Sequence, residues 1–280
     1  MGIFISVVQN TKAEFELMKI RVAILVDGSF FIKRVLSNKK RYFSEVEEFT
    51  PKQMVECLQE VIWRHLKNGH GSEYNYHYRT YFYDAPPLAV DRAHFPLVEK
   101  GHTNQLVKVF SKDPNVIFRQ NILEELKRQK KLAVRLGTLK ADKEWKIKDN
   151  VVQSLIKDER SFDSLTNDDF YYSTRQKGVD IKLGIDIATL SLNKQVERIV
   201  LIAGDSDFVP AAKLARVNGV DFILDAMRNP IEPSLFEHID GLVNFDIVSI
   251  LRKVLGVEPE PKPNWWSDEG VQKVKRKYKN

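Results

Sequence analysis

Two short apolar runs, each stopped by acid, restrict what this chain can fold into more than anything else in its sequence. Val22-Ala-Ile-Leu-Val26 runs into Asp27-Gly28-Ser29, and Val200-Leu-Ile-Ala203 runs into Gly204-Asp205-Ser206-Asp207-Phe208. Both are too short for a buried helix and rich in β-branched residues, so they read as buried strands. Two parallel strands of this kind place their terminal carboxylates along one edge of a sheet, the edge where open α/β folds keep their ligands.

The rest of the chain alternates around them. A helix is expected to start near Phe30, and Thr50-Pro51-Lys52-Gln53 supplies an N-cap and a first-turn proline for a helix through His65 and Leu66. Met54, Leu58, Val61, Ile62 and His65 recur near helical spacing, and Gly69 and Gly71 close the element. Tyr74 to Asp84 is an aromatic strand stopped by Ala85-Pro86-Pro87. Residues 88–110 read as helical in pieces, Val116-Ile117-Phe118 as a short strand before a basic helix from Asn121 to Lys131, and 132–137 as a third strand. The polar stretch from Lys140 to Thr174 reads as an insertion or mobile loop. Then follow a helix over 180–192, a strand over 198–203, a helix over 208–217, a strand over 220–224 and a helix near 233–239. Such alternation predicts a parallel sheet with both faces covered.

At 280 residues there is room for one large α/β domain with insertions. A formal charge of +6 permits an anionic partner without requiring one. The single cysteine, Cys57, excludes an intramolecular disulfide and a Cys-rich zinc site, which favours a reducing, cytoplasmic setting. No stretch has the apolar length of a membrane span, so no membrane partner is expected. Residues 1–17 lack the basic start of a signal peptide and read as an extension before Met18 or as an extra edge strand. From Glu258 a proline-rich linker leads to Trp265-Trp266 and the basic run Lys273 to Lys277, either a solvated tail or a nucleic-acid arm.

If Asp27, Asp180, Asp205 and Asp207 converge, with Asp186 nearby, their repulsion must be relieved by protonation or by a cation. A set of oxygen donors without His or Cys favours Mg²⁺ or Mn²⁺, the equipment for hydrolysing a phosphodiester. Six residues at about 100° each leave Asp180 and Asp186 on different helix faces, which makes Asp180 the better ligand. Asp180 also reads as an ordinary N-cap, and Asp205 and Asp207 likewise precede a helix. Arg175, Lys177 and Lys182 flank Asp180 and either hold a phosphate or are surface charges. With Ser29 and Ser206 beside the acids, they make up the expected substrate contacts. His65, His70, His77, His94, His102 and His238 form no ligand spacing and read as surface or core residues.

Val26-Asp27-Gly28-Ser29, Tyr83-Asp84-Ala85-Pro86-Pro87, Lys177-Gly178-Val179-Asp180 with Asp186, and Gly204-Asp205-Ser206-Asp207-Phe208 followed by Pro210 together resemble the NYN domain, a branch of the PIN-like nuclease superfamily. The resemblance covers roughly residues 20 to 245. It implies a Rossmann-like three-layer α/β/α sandwich with a mostly parallel sheet, spanning 21–257 between an N-terminal extension and the tail. It also implies a Mg²⁺- or Mn²⁺-dependent endoribonuclease with Asp27, Asp180, Asp205 and Asp207 as catalytic metal ligands, Asp186 as a further member, and RNA as substrate. Many members carry Asn where this chain has Phe30.

Other classes fit less well. A haloacid-dehalogenase-type phosphatase needs an acid two residues after the first, where Ser29 stands, and a dinucleotide enzyme needs glycines that Asp27-Gly28-Ser29-Phe30 lacks. The alternative is an RNA-binding or regulatory module of the same fold without turnover. Oligomeric state stays open, a homodimer included.

Overall fold

The computed structural model describes residues 20–67, 75–88, 92–98, 101 and 103–261, with Ser206 described in its backbone alone. The N-terminal extension, Gly69, His70, Gly71, Tyr74, His102, Trp265, Trp266 and the lysine run from Lys273 lie outside the described residues.

Strand β1 (Arg21–Asp27) is the axis of the molecule, with Val22, Ala23, Ile24, Leu25 and Val26 fully buried. After it come α1 (Gly28–Tyr42), α2 (Pro51–Leu66), β2 (Tyr76–Asp84), β3 (Arg92–His94), β4 (Val107–Val109), α3 (Pro114–Lys127) and β5 (Leu132–Leu136). The chain continues with β6 (Thr138–Ile147), α4 (Asp149–Ile156), β7 (Phe170–Lys177), α5 (Val179–Leu192), β8 (Arg198–Ile202), α6 (Val209–Val217), β9 (Asp221–Asp225), α7 (Pro233–Phe236), β10 (Gly241–Val243) and α8 (Ile247–Leu255). Six strands form one sheet in the order β10-β9-β8-β1-β2-β5, each pairing parallel.

Because side chains alternate across a strand, β1 feeds two cores. Val22, Ile24 and Val26 pack with Phe31, Ile32 and Val35 of α1, Met54, Leu58 and Val61 of α2, Ile122 and Leu126 of α3, and Val248 and Leu251 of α8. On the other face, Ala23 and Leu25 pack with Leu183, Ile187 and Leu190 of α5 and Ala212 and Ala215 of α6. The expected three-layer α/β/α sandwich is present. Among the described residues no helix is long and apolar enough to cross a membrane.

Capping sets several boundaries where the sequence places them. Thr50 Oγ1 accepts from the Gln53 N–H at 3.2 Å while Gln53 Oε1 accepts from the Thr50 N–H at 2.8 Å, a capping box. Caps of this kind stabilise a helix by about 1 kcal/mol.

Three expectations are corrected. Among the described residues of 88–110 no α-helix forms: Arg92–His94 and Val107–Val109 pair as an antiparallel ribbon, followed by a 3₁₀ turn at Phe110–Lys112. Val116-Ile117-Phe118 is not a strand, because Asp113 caps the Asn115 N–H at 2.9 Å and Pro114 opens α3 seven residues before the expected start at Asn121. Residues 140–174 are not a loop. β6 and β7 form an antiparallel ribbon from Thr138↔Lys177 to Ile147↔Phe170, with α4 and two 3₁₀ turns at its far end. An aromatic cluster holds the two ribbons together: Trp145 stacks on Phe95 with centroids 5.0 Å apart and meets Tyr172 at 5.2 Å, and Tyr172 meets Phe110 at 5.1 Å. Beyond the last expected helix, β10 extends the sheet and α8 covers it. The first residues of the expected linker return to the domain, where the Glu260 N–H donates to the Tyr42 carbonyl at 2.7 Å.

Candidate active site

Parallel registry brings the carboxyl ends of the central strands level. Asp27 pairs with Tyr83, one residue before Asp84, and Ile202 of β8 lies between Val26 and Asp225.

Asp27 ends β1 and also caps α1, its Oδ1 accepting from the Phe30 N–H at 3.1 Å. The helix therefore begins at Gly28, with no intervening turn. A Cβ at Gly28 would stand 2.4 Å from the Phe82 ring and 2.7 Å from the Tyr83 carbonyl oxygen. Glycine lets α1 start directly against β2, which fixes Asp27 at the sheet edge. Gly28→Ala is expected to destabilise the fold by about 1–3 kcal/mol through overpacking and to shift the Asp27 carboxylate. Thermal melts check this, and a variant melting with the parent contradicts the close packing.

Asp180 is the second residue of α5, whose N-cap is Gly178 at φ 76°. The N-cap reading of Asp180 is thus corrected. Asp205 and Asp207 follow β8, with the Asp207 N–H donating to Asp205 Oδ1 at 3.1 Å. A Cβ on Gly204 would stand 2.6 Å from the Phe30 ring, so Phe30 and Gly204 close the space between the ends of β1 and β8.

Electrostatics joins these carboxylates. Burial pushes Asp27 up from its ordinary 3.8 to about 6, and the charges of Asp180 and Asp84 push the same way against the Phe30 hydrogen bond. Burial also raises Asp180, reinforced by Asp205 and then Asp207. Asp27 thus feels the charges of Asp180 and Asp84, and Asp180 those of Asp205 and Asp207, a patch of neighbouring acids at this sheet edge.

Asp186 stands outside that patch. Six residues along α5, it accepts from the Tyr83 hydroxyl at 2.8 Å and pairs with Arg135 at 3.0 Å. The expected basic contacts are also turned elsewhere. Arg175 Nε donates to Asp142 Oδ1 at 2.8 Å, and Lys182 Nζ donates to the Leu136 carbonyl at 2.6 Å. Lys177 is exposed opposite Thr138. Directly paired residues of an antiparallel ribbon share a face, so Lys177 and Arg175 lie on one face and Gln176 on the other. It is Gln176 that reaches the site, its Nε2 donating to Ser29 Oγ at 2.9 Å. The Ser206 side chain lies outside the described residues.

No local sequence pattern assigns a role to Asp84, Arg119, Gln176 or Asn229. Asp84, 1% exposed at the end of β2, accepts from Arg119 Nη2 at 2.5 and 2.6 Å, from the Ala85 N–H at 2.8 Å and from Ser29 Oγ at 3.2 Å. The Asp113-Pro114 pair was the signal that places Arg119 on a helix. Asn229 follows two non-glycine residues with left-handed backbone, Met227 (φ 47°) and Arg228 (φ 60°), and its Nδ2 lies 3.2 Å from where a Gly204 Cβ would be. Strained backbone held by its surroundings collects at functional sites.

A profile of the NYN domain matches residues 90–239, more than half of the chain. The chain belongs to the NYN domain family. NYN domains are part of a nuclease superfamily. The matched part of this NYN protein carries Arg119, Asp180, Asp205 and Asp207, while Asp27 and Asp84 precede it. No curated protein matches the chain. A protein of unknown function from Vibrio parahaemolyticus is similar at 15% identity and TM-score 0.38, over 81% of this chain and 94% of that one. Sir2 in complex with the inhibitor EX-527 is similar at 9% identity and TM-score 0.32, over 89% and 97%. Neither structural likeness enters the functional argument.

Among the described residues no three His, Cys, Asp or Glu side chains form a preassembled metal cage. Mg²⁺ does not require one, since it binds through one or two carboxylates and keeps waters and substrate phosphate for the rest. The donor chemistry here, hard oxygens on Asp27 and Asp180 that burial first and the neighbouring carboxylates second push toward protonation, fits an ion of that kind.

Proposed function

We propose that this NYN protein is a metal-dependent endoribonuclease, with Asp27, Asp180, Asp205 and Asp207 holding Mg²⁺ or Mn²⁺. What carries this reading is the parallel registry that ends β1 at Asp27 beside the end of β8, just ahead of Asp205 and Asp207; burial and the charges of Asp180 and Asp84, which raise Asp27 to about 6, support it. When bound, the ion neutralises charge on a phosphate and lowers the pKa of water. The chain's own residues supply the frame. Asp27 is ionised at neutral pH and held in orientation by the Phe30 N–H. Asp180 projects from the first turn of α5, and Asp205 is fixed by the Asp207 N–H. Hydrolysis by water leaves 5′-phosphate and 3′-hydroxyl ends on RNA. Cys57, a fully buried free thiol, suits the cytoplasm.

Incubating purified protein with a pool of cellular RNA and Mn²⁺, Mg²⁺ or chelator, followed by end mapping, tests the reading. Cleavage is expected with either metal and not with chelator, and Asp205→Asn is expected to abolish it while RNA binding remains. Ends carrying 2′,3′-cyclic phosphate contradict the mechanism. One observation favours a second reading, an RNA-binding module without turnover: apolar Phe30 lies against Gly204, where many family members carry Asn. Metal-insensitive RNA binding with no cleavage is the result that selects it.

A further inference from the structure

The acid patch that suits a cation repels an RNA strand, so the site needs a positive group of its own beside Asp27. Of the cations expected in that role, Arg175 is held at Asp142, Lys182 at the Leu136 carbonyl, and Lys177 is on the face of the ribbon opposite to Gln176. Arg135 is spent on Asp186.

Arg119 is placed differently. Its Nη2 alone is anchored, contacting both Asp84 oxygens at 2.5 and 2.6 Å and Ser29 Oγ at 3.4 Å. Among the described residues its Nη1 and Nε make no hydrogen bond, and the side chain is a third exposed. Asp84 is close enough to raise Asp27. The guanidinium is also braced, because Ser29 Oγ donates to Asp84 and accepts from Gln176, tying α3 to β2, α1 and β7. Nη2 is thus locked against a buried carboxylate, leaving the N–H groups of Nη1 and Nε without a partner among the described residues on a side chain that is a third exposed. A guanidinium so fixed still offers charged donors to a phosphate, taken singly through Nη1 or Nε.

We infer that Arg119 is the phosphate-binding residue of this site, donating to a backbone phosphodiester of the RNA strand from the unpaired N–H groups of Nη1 or Nε, with Asp84, Ser29 and Gln176 as its positioning residues. This rests on the ribonuclease reading above. Asp84 offsets the guanidinium charge in the resting protein, and an incoming phosphate restores a second partner without displacing the first.

The test is binding of a fluorescein-labelled single-stranded oligoribonucleotide, with Mg²⁺, as a function of salt, in the Asp205→Asn background. Arg119→Gln alone strands the buried Asp84 carboxylate, so the informative change is Asp84→Asn with Arg119→Gln, which preserves net charge and a buried hydrogen bond. Affinity is expected to fall about tenfold, and the slope of log K against log salt to become shallower by about 0.7, the value for one lost single-strand phosphate contact. A purely structural role lowers the melting temperature without moving that slope. Arg119→Lys keeps a charge beside Asp84 but gathers all its donors on the one nitrogen held there, and is expected to weaken binding several-fold while the fold is unchanged. Parent-like affinity in Arg119→Lys, or a parent-like slope in the folded double variant, overturns the assignment of Arg119 and leaves the ribonuclease reading standing. Failure of the Asp205→Asn background and of the unmodified chain to bind the oligonucleotide overturns both.

Discussion

Asp27→Asn is expected to abolish RNA cleavage and, in metal-free protein at neutral pH, to raise stability. The two effects share one cause. Ionised Asp27 is held partly buried beside Asp84 and Asp180, which moves its carboxyl from 3.8 to about 6. That displacement corresponds to about 3 kcal/mol of destabilisation once the group is ionised in the folded chain. For a carboxyl raised on folding, the sign is the reverse of a salt-bridged aspartate. The destabilisation is absent below the unfolded value near 3.8, grows as pH rises, and is complete above about 6. Asparagine removes the charge while its side-chain oxygen still accepts from the Phe30 N–H, so the α1 cap survives. The variant's melting temperature should exceed the parent's by roughly 5–10 °C at pH 7.5, and the two should converge near pH 4. Equal melting temperatures at both pH values contradict the crowding of acids around Asp27. A site that is costly to assemble and necessary for activity is the expected trade-off of function against stability.

The second large effect is on the fold. Asp225, at the end of β9, is fully buried; its Oδ2 lies 2.9 Å from His65 Nε2 and its Oδ1 accepts from the Met227 N–H at 2.9 Å. His65 is itself enclosed, with the Phe245 ring edge-on at 4.6 Å. Asp225→Ala leaves a buried imidazole and a buried amide without partners, at a cost of about 3–5 kcal/mol, or roughly 10 °C in melting temperature. The loop through Met227 and Arg228 that presents Asn229 beside Gly204 loses one of its ties as well. Arg34, donating to the Met227 carbonyl at 2.7 Å, and Asn244, accepting from the Arg228 N–H at 3.1 Å, still hold it. Activity should therefore fall less steeply than for Asp27→Asn. Asp225→Asn, which can accept from the amide and bond the imidazole, is the control and should lose much less. A loss below about 1 kcal/mol for Asp225→Ala would remove the pair from the account of this loop.

How far the sequence reveals this molecule depends on whether a signal is local. The runs before Asp27 and Asp205 are legible because a strand buried on both faces has little freedom in composition, and its acid terminus marks the ligand edge directly. The capping box at Thr50 is equally local. Val116-Ile117-Phe118 misleads because three apolar residues suit either period; a single cap at Asp113 decides for helix, and Phe118 packs toward Phe49 with ring centroids 6.5 Å apart. β3 and β4, three residues each, are too short to show alternation. The β6–β7 ribbon stays hidden since no residue of β6 and only Ser173 of β7 is buried, so its apolar positions are half-covered and its alternation is shallow. The site divides in the same way. Acids at strand and helix ends can be read off, whereas Arg119 and Gln176 reach Ser29 from 90 and 147 residues away, contacts that only the fold creates.

Calorimetric titration of Mg²⁺ into metal-free protein at pH 6, in two buffers of different ionisation enthalpy, tests the shared acid site most directly. Half-protonated Asp27 should release about half a proton on saturable binding, and Asp27→Asn should lose both the release and most of the affinity. Absence of saturable binding, or binding that expels no proton and persists unchanged in Asp27→Asn, would contradict the account.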